Sequence, residues 1–131
     1  SQELLSLLVR ALLMQILLFH EEEQPSIIDR IVQHLSVHMS EKITLDELSS
    51  VSFMSKSYLS KQFKEATGKT IIGYLNTLRV ERAKMLLATT EKTVEEISYS
   101  VGFDSPKYFF RVFKAETGCT PACFCKREAL N

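Results

Sequence analysis

The feature that most constrains this chain is a stretch of thirteen residues that occurs twice, fifty positions apart. Positions 58–70 read YLSKQFKEATGKT and positions 108–120 read YFFRVFKAETGCT, with six identical residues. A period of this length indicates that one small structural unit is built twice, so both copies should share one plan of secondary structure. In a chain of 131 residues, two such units leave room for only a short additional segment.

Both units are predicted to be helical. The chain contains only 4 Gly and 3 Pro, 45% of its residues are hydrophobic, and apolar residues recur at intervals of three and four rather than alternately. Hydroxyl residues stand where helices should begin, and glycines stand where they should end. We therefore expect an all-α fold of two helix-turn-helix subdomains joined by a long connecting helix over 71–88 and preceded by an apolar linker helix.

Each unit has the same order of start and stop signals. In the first unit Thr44 and Glu47 predict a capping box, Ser55 caps the second helix, and Gly68 ends it. The second unit repeats these signals in the same order: Thr93 with Glu96, Ser105, and Gly118. The residues of the first helices that should face inward are Leu45, Leu48 and Val51, then Val94, Ile97 and Val101. The second helices, near 55–66 and 105–116, should bury these residues: Leu59, Phe63, Phe109 and Phe113.

Charge is balanced over the whole chain but segregated along it. The 16 basic and 16 acidic side chains cancel at pH 7. Residues 1–52 nevertheless carry a net charge of −5, residues 53–85 carry +5, and residues 104–127 carry +3. Because the positive charge lies on the repeated units, we expect the protein to have one basic working face.

The outward faces of the two second helices combine hydroxyl, basic and aromatic side chains. Arg and Lys can donate to guanine N7 and O6, Ser can bond several base edges, and an apolar group can contact the thymine methyl. One such stripe is common on solvated helices, but two, on equivalent helices of two units, favour helices that enter the major groove of DNA. We predict base contacts from Ser57, Ser60, Lys61, Lys107, Phe110 and Arg111.

Contacts with the DNA backbone are predicted at the ends of the same helices. Lys64 and Lys114 lie near the helix ends, where a cation meets phosphates, which position a protein without reading sequence. The full set of predicted backbone contacts is Ser55, Lys56, Lys64, Ser105 and Lys114.

These motifs resemble the DNA-binding domain of AraC/XylS-type bacterial transcription regulators. VGFDSPKYFFRVFKAETGCTP (101–121) is similar to the second helix-turn-helix signature of that family, and ITLDELSS with SYLSKQFKEATGKT (43–70) is similar to the first. The connecting stretch over 73–87 also matches, so the resemblance covers about residues 26–127. It implies that the two second helices enter successive major grooves on one face of duplex DNA, about 34 Å apart.

The resemblance also implies which positions touch bases. They are Ser57, Ser60 and Lys61 in the first unit, and Pro106, Lys107 and Arg111 in the second. Since Pro106 has little to offer a base edge, we expect the second helix to read DNA through Lys107, Phe110 and Arg111. The family further implies RNA polymerase as a partner and a cytoplasmic location at the bacterial nucleoid. The resemblance implies an activator, but the sequence leaves activation and repression open.

The first turn departs from the family pattern, and the sequence allows two alignments of it. Counted from Leu48, Phe53 stands where the family has Gly; aligned over the fifty-residue interval, Ser52 takes that position, opposite Gly102. A residue other than Gly in a left-handed turn position would be strained. Both alignments remain open at this point.

The segment over 4–19 is apolar except at Ser6, Arg10 and Gln15, so a helix formed by it should be covered by something. It could pack on the same domain or on another domain or subunit, and the acidic run Glu21–Glu23 with Pro25 favours the second alternative. It is short for a membrane span, and we expect no membrane partner.

We assign 1–24 to a linker or dimerisation helix that ends a missing N-terminal domain and supports a homodimer. We assign 25–127 to the DNA-binding domain, with its two motifs at about 44–68 and 93–118.

Two other classes of function are alternatives to DNA binding. The chain has no nucleophile–base pattern, no Gly-rich phosphate loop and no paired carboxylates at a helpful spacing, so we expect no enzymatic activity and no cofactor. His34 and His38 lie four apart but have no third ligand nearby in sequence, so we expect no metal. A helical protein–protein interaction module without sequence-specific DNA binding is the stronger alternative, because the N-terminal helix is so apolar.

Overall fold

The structure is a computed structural model that describes residues 2–23 and 26–130, with the side chains of 2–17 and 26–126. Within those residues it consists of helices and contains no strand, which confirms the all-α prediction. The helices are α1 (Gln2–Glu23), α2 (Ile27–His38), α3 (Leu45–Ser52), α4 (Lys56–Thr67), α5 (Ile71–Thr89), α6 (Val94–Ser100), α7 (Pro106–Thr117) and α8 (Pro121–Leu130).

Hydroxyl side chains cap the helix starts, as the sequence predicts. Ser55 and Ser105 accept a hydrogen bond from the backbone N–H three residues on, so α4 and α7 begin one residue later than predicted. Thr93 and Glu96 form the full capping box, with both bonds at 3.1 Å. Only half of the predicted box forms in the first unit: the Thr44 hydroxyl accepts from the N–H of Glu47, but the Glu47 side chain does not accept from the backbone N–H of Thr44.

The identical residues of the repeat stop one helix and start the next. Thr67 donates to the Phe63 carbonyl at 2.8 Å, and Thr117 donates to the Phe113 carbonyl at the same distance. The glycines that follow take left-handed backbone, with φ of 79° at position 68 and 82° at position 118, which costs glycine nothing. Thr70 and Thr120 then cap α5 and α8. Most of the sequence identity therefore serves the fold.

The buried residues form two separate apolar cores. The first core lies among α2, α3, α4 and the start of α5: Ile31, Leu35, Leu48, Leu59, Phe63, Ile71 and Leu75. The second lies among the rest of α5, α6 and α7: Val80, Ala83, Leu87, Ile97, Val101, Phe103, Phe109 and Phe113. We call the parts of the chain around these cores the first unit and the second unit. Helix α5 contributes to both, so it is the element that joins them.

The turn between α3 and α4 settles the open alignment in favour of Phe53. Ser52 is the last residue of α3 and is 6% exposed, whereas Phe53 has left-handed backbone (φ 58°). One residue separates Phe53 from the cap of the next helix, whereas two separate Gly102 from its cap, so the fifty-residue interval fails here. The prediction that Val51 faces inward is wrong, since its side chain is 64% exposed. With 3.6 residues per turn, Leu48 and Ser52 share the buried face and Val51 does not.

Replacing Phe53 by glycine should stabilise the protein. Its side chain is 97% exposed, so little packing is lost, while left-handed backbone costs a residue with a Cβ about 1–2 kcal/mol. After allowance for the greater freedom of glycine in the unfolded chain, we expect a gain of about 1 kcal/mol in the free energy of unfolding, measured by urea denaturation. Phe53→Ala keeps the Cβ and is the control. Equal stability of the two variants would show that the turn is not strained.

Helix α1 leaves its large apolar side chains exposed over residues 2–17. Leu5, Leu8, Leu12 and Ile16 are each more than half exposed. The alternative that this helix is buried on the same domain is therefore wrong for residues 2–17. In the described parts of the chain, no helix is both long and apolar enough to cross a membrane.

Candidate DNA-binding surface

Helix α4 turns its predicted DNA-binding residues away from the first core. Leu59 and Phe63 are completely buried, which fixes the rotation of the helix about its axis. Ser57, Lys61 and Lys64 are exposed on the other side, and Ser60 is half-buried. Ser57, Ser60, Lys61 and Lys64 thus lie on one outward stripe of α4.

A cleft of about 290 Å³ adjoins this stripe, between α4 and the starts of α3 and α5. It is lined by Ser60, Lys61 and Lys64 from α4, together with Leu45 and residues 70–72. The first backbone N–H groups of α5 have no partner within the helix, and the helix dipole is positive at this end. Two lysines beside such an end produce a local environment that suits a phosphate group.

Lys56 already has an ion-pair partner within the protein. Its ammonium forms an ion pair with Asp46 of α3, and both side chains are more than half exposed. Exposed pairs of this kind contribute little to stability. A contact between Lys56 and a phosphate would therefore have to share or replace this pairing.

Helix α7 is arranged in the same way in the second unit. Phe109 and Phe113 are completely buried, and Phe110 is 40% exposed. Lys107, Arg111 and Lys114 are exposed on the outward side. The Phe110 ring lies 6.2 Å from the Phe109 ring, centroid to centroid, so part of it rests on the core while the remainder faces outward. Phe110, which the sequence predicts to contact a base, is therefore available for an apolar contact.

Arg111 is held in place by a residue that sequence reasoning passed over. Its guanidinium lies over the Tyr108 ring, 5.5 Å from the ring centroid, a favourable cation–π arrangement. The Tyr108 hydroxyl in turn accepts a hydrogen bond from the side-chain amide of Asn76 at 2.9 Å. The base-reading candidate of α7 is therefore connected to α5 through Tyr108.

The two capping serines have only part of their hydrogen-bonding capacity left for DNA. The hydroxyl oxygens of Ser55 and Ser105 each accept from a backbone N–H at 3.2 Å. Each hydroxyl proton remains available to donate to a phosphate oxygen. The predicted contacts at Ser55 and Ser105 are compatible with their capping roles.

Sequence reasoning gave no role to Arg79, which is 9% exposed in the middle of α5. Burial lowers the pKa of its guanidinium and the Asp104 carboxylate opposes that shift, but an arginine stays charged in a protein. One sign of its burial was present in the sequence: Asn76 and Arg79 stand at positions of α5 where the spacing otherwise places apolar residues.

His34 and His38 contact each other on α2. Their rings are tilted with centroids 4.6 Å apart, and His38 Nδ1 lies 2.6 Å from a Glu41 carboxylate oxygen. They line an open cleft of about 630 Å³. Among the described residues, no group of three or more metal-ligating side chains is placed to hold an ion.

Comparison with known proteins identifies the class to which this arrangement belongs. A family model described as a helix-turn-helix domain matches residues 48–127. The chain belongs to the AraC/XylS-type family of helix-turn-helix DNA-binding domains, which confirms the resemblance found in its sequence.

Three similar proteins illustrate the match. The bifunctional transcriptional activator and DNA repair enzyme AdaA of Bacillus subtilis is 34% identical over 104 residues, which cover 79% of this chain and 49% of AdaA. The C-terminal domain of AraT, a response regulator from Geobacillus stearothermophilus, is 31% identical with a TM-score of 0.75, over 80% of this chain and 88% of that one. The DNA-binding domain of the transcription factor AdpA, solved in complex with a target DNA, is 26% identical with a TM-score of 0.74, over 79% and 93%.

The chain spans about half the length of AdaA. The matched family model describes a helix-turn-helix domain, which is a binding module rather than an enzyme domain. The repair activity in the name of AdaA is thus a property of that protein, and the comparison assigns no enzymatic function to this chain.

Proposed function

We propose that this protein is a transcription regulator that binds duplex DNA sequence-specifically and reads two successive major grooves, one with α4 and one with α7. The observation that carries the proposal is the pair of outward stripes on two equivalent helices, each capped by a serine and ended by a glycine. The solved complex of AdpA with DNA supports duplex DNA as the partner.

Two outward cations in the middle of their helices are the proposed base readers. Lys61 on α4 and Arg111 on α7 are exposed one turn or more into their helices, and each can donate to guanine O6 and N7. Ser57 and Ser60 would bond neighbouring base edges in the first groove. Lys107 would do so in the second groove, where Phe110 would contact a thymine methyl or a deoxyribose.

The proposed backbone contacts hold each helix in its groove. Lys64 and Lys114 would pair with phosphates at the helix ends, and Ser55 and Ser105 would donate at the helix starts. Lys56 would join them by exchanging Asp46 for a phosphate. Such contacts set position and affinity but carry no sequence information.

Arg111→Ala should weaken binding to the preferred duplex by about 1–3 kcal/mol and relax the preference at one base position. Lys114→Ala, one turn further along the same helix, is the matched variant. It should weaken binding evenly across sequences and lower the salt slope by about 1. Fluorescence anisotropy with a panel of single-base variants of the site measures both effects. An Arg111→Ala protein with unchanged affinity and base preference would show that α7 does not read DNA.

Salt dependence separates DNA binding from the protein-interaction alternative. Each phosphate neutralised by the protein releases counterions, so the logarithm of the affinity should fall linearly and steeply with the logarithm of the salt concentration. The same titrations, repeated between low and physiological salt, give the slope. Affinity that is independent of salt, or no binding to a pool of promoter fragments, would favour the interaction module.

We also propose partners beyond DNA. The uncovered apolar residues of α1 support a homodimer through this helix, which removal of residues 1–24 should abolish in sedimentation equilibrium. RNA polymerase is the proposed protein partner, and the cytoplasmic nucleoid is the proposed location. We assign the chain no catalysis and no cofactor of its own.

A further inference from the structure

The contact between the two units is polar where their cores meet on α5. This helix gives buried apolar side chains to the first core up to Leu75 and to the second core from Val80 onward, and the half-buried Leu78 packs against the first core. Between these stretches lie Asn76 and Arg79, which are only 8% and 9% exposed. Apolar packing holds each unit together, whereas directional polar groups occupy the boundary between the units.

Arg79 touches both units at once. Its Nε donates to the Met39 carbonyl at 2.7 Å and its Nη2 donates to the Glu41 carbonyl at 3.0 Å, both at the end of α2 in the first unit. Its guanidinium also lies 5.6 Å from the centroid of the Phe103 ring, in the turn of the second unit. A planar guanidinium fixes the direction of each hydrogen bond, so it holds its neighbours in one relative orientation.

Two further contacts tie α7 to the same stretch of α5. The first is the hydrogen bond from Asn76 to the Tyr108 hydroxyl at 2.9 Å. The second involves Thr77, whose hydroxyl accepts from Lys69 Nζ at 3.0 Å and shares its single proton between a Glu116 carboxylate oxygen and the Gly73 carbonyl, each 3.0 Å away. Since Lys69 follows α4 and Glu116 lies in the last turn of α7, one threonine connects the far ends of the two DNA-reading helices. We call Asn76, Thr77 and Arg79 with these contacts the polar junction.

We propose that the polar junction, with Arg79 at its centre, fixes the distance and rotation between α4 and α7, so that the protein accepts only one spacing of half-sites. The inference rests on the proposed function. One inserted base pair moves the second half-site by about 3.4 Å and turns it by about 35°. A rigid pair of helices cannot follow such a shift without losing contacts in one groove. Arg79 is thus a positioning residue that determines specificity without touching DNA.

A purely structural role for Arg79 makes a different prediction. The Met39 and Glu41 carbonyls follow the end of α2, where a cation is stabilising whatever the geometry of the second unit. Loss of that stabilisation would lower affinity for every spacing equally. The ratio of affinities between spacings therefore distinguishes the two roles.

The test compares Arg79→Met with Arg82→Met on duplexes that carry the selected half-sites at the best spacing and with one base pair added or removed. Arg82 lies three residues further along α5, is exposed, and makes no hydrogen bond or ion pair with the described residues. We expect wild type and Arg82→Met to lose about tenfold or more in affinity on the altered spacings, about 1.4 kcal/mol. The loss for Arg79→Met should shrink to about threefold or less, with weaker binding at the best spacing.

An unchanged spacing ratio in Arg79→Met, or a wild type that tolerates all three spacings, would overturn the inference. A wild type that binds no bipartite site would instead overturn the proposed function. Residual dipolar couplings of the free protein give a second readout, because the alignment tensors of 27–67 and 94–124 should agree in wild type and diverge in Arg79→Met. If circular dichroism shows that Arg79→Met is unfolded, Arg79→Lys and Tyr108→Phe go through both measurements with the same expectation. If the two alignment tensors still agreed in those variants and the affinity ratios between spacings were unchanged, the inference would also be overturned.

Discussion

Gly102→Ala is expected to lower the free energy of unfolding by about 3 kcal/mol or more, from two costs of about 1–3 kcal/mol each. The first cost is backbone strain, since Gly102 has φ of 108°. The second is steric, because a Cβ at this position would lie far inside van der Waals contact with the Met39 carbonyl and 2.9 Å from Arg79 Nε. The same Cβ would push the second unit away from the first, so the affinity for DNA should fall as well.

Gly118→Ala is the matched control for this prediction. Gly118 also has left-handed backbone (φ 82°), but a Cβ there would meet nothing within 4 Å. Gly118→Ala should therefore lose only the cost of backbone strain, about 1 kcal/mol in the free energy of unfolding. Urea denaturation of both variants measures the difference, which reports the close approach of the two units at Gly102. Equal losses in the two variants would mean that this approach is not needed for stability.

Phe109→Ala should cost about 3–5 kcal/mol, the usual range for removing a fully buried aromatic ring. Phe109 is the centre of an aromatic cluster, with ring centroids 5.1 Å from Phe103 and 5.5 Å from Phe113. Because the two cores are separate, the loss should be concentrated in the second unit. Hydrogen exchange should show α6 and α7 losing protection while α3 and α4 keep more of theirs.

Phe63→Ala is the counterpart in the first unit. Phe63 is completely buried and meets the Tyr74 ring edge-on at 5.5 Å. The pattern of lost protection should be reversed, with α3 and α4 exchanging first. If both variants lost protection uniformly along the chain, the protein would unfold as one cooperative unit and the two cores would not be independent.

The elements of the fold could be predicted because their signals are local. A hydroxyl cap and its partner lie three residues apart, and a stop at Gly68 or Gly118 is visible in a few letters. The outward position of Lys61 and Arg111 follows from the same periodicity, since burying Leu59 and Phe109 leaves little choice for the opposite face. The fold class and the candidate stripes needed no information from distant parts of the chain.

The first turn could not be predicted because the repeat is not strictly periodic. The interval is fifty between the capping serines but forty-nine between the threonines that cap α3 and α6. The missing residue falls in the turn, where it places Phe53 opposite Gly102. An alignment that assumes a constant interval therefore places Ser52 in the turn and Val51 on the buried face. In the structure Ser52 is buried at the end of α3 and Val51 is exposed.

The polar junction could not be predicted because its partners are distant in sequence. Arg79 bonds carbonyls about forty residues away, and Asn76 meets Tyr108 thirty-two residues away. Polar residues inside the apolar stripe of α5 were the only local sign of the polar junction. Whether such letters face solvent or a neighbouring unit depends on tertiary packing, which spacing alone does not determine.

In-vitro selection of bound duplexes from a random pool tests the central claim most directly, because it assumes no target sequence. We expect enrichment of two different half-sites, one for α4 and one for α7, with centres about one helical turn or 10–10.5 base pairs apart. Selection with Arg111→Ala should lose information in one half-site only. Enrichment of a single half-site, or no enrichment over the starting pool, would contradict reading by two helices.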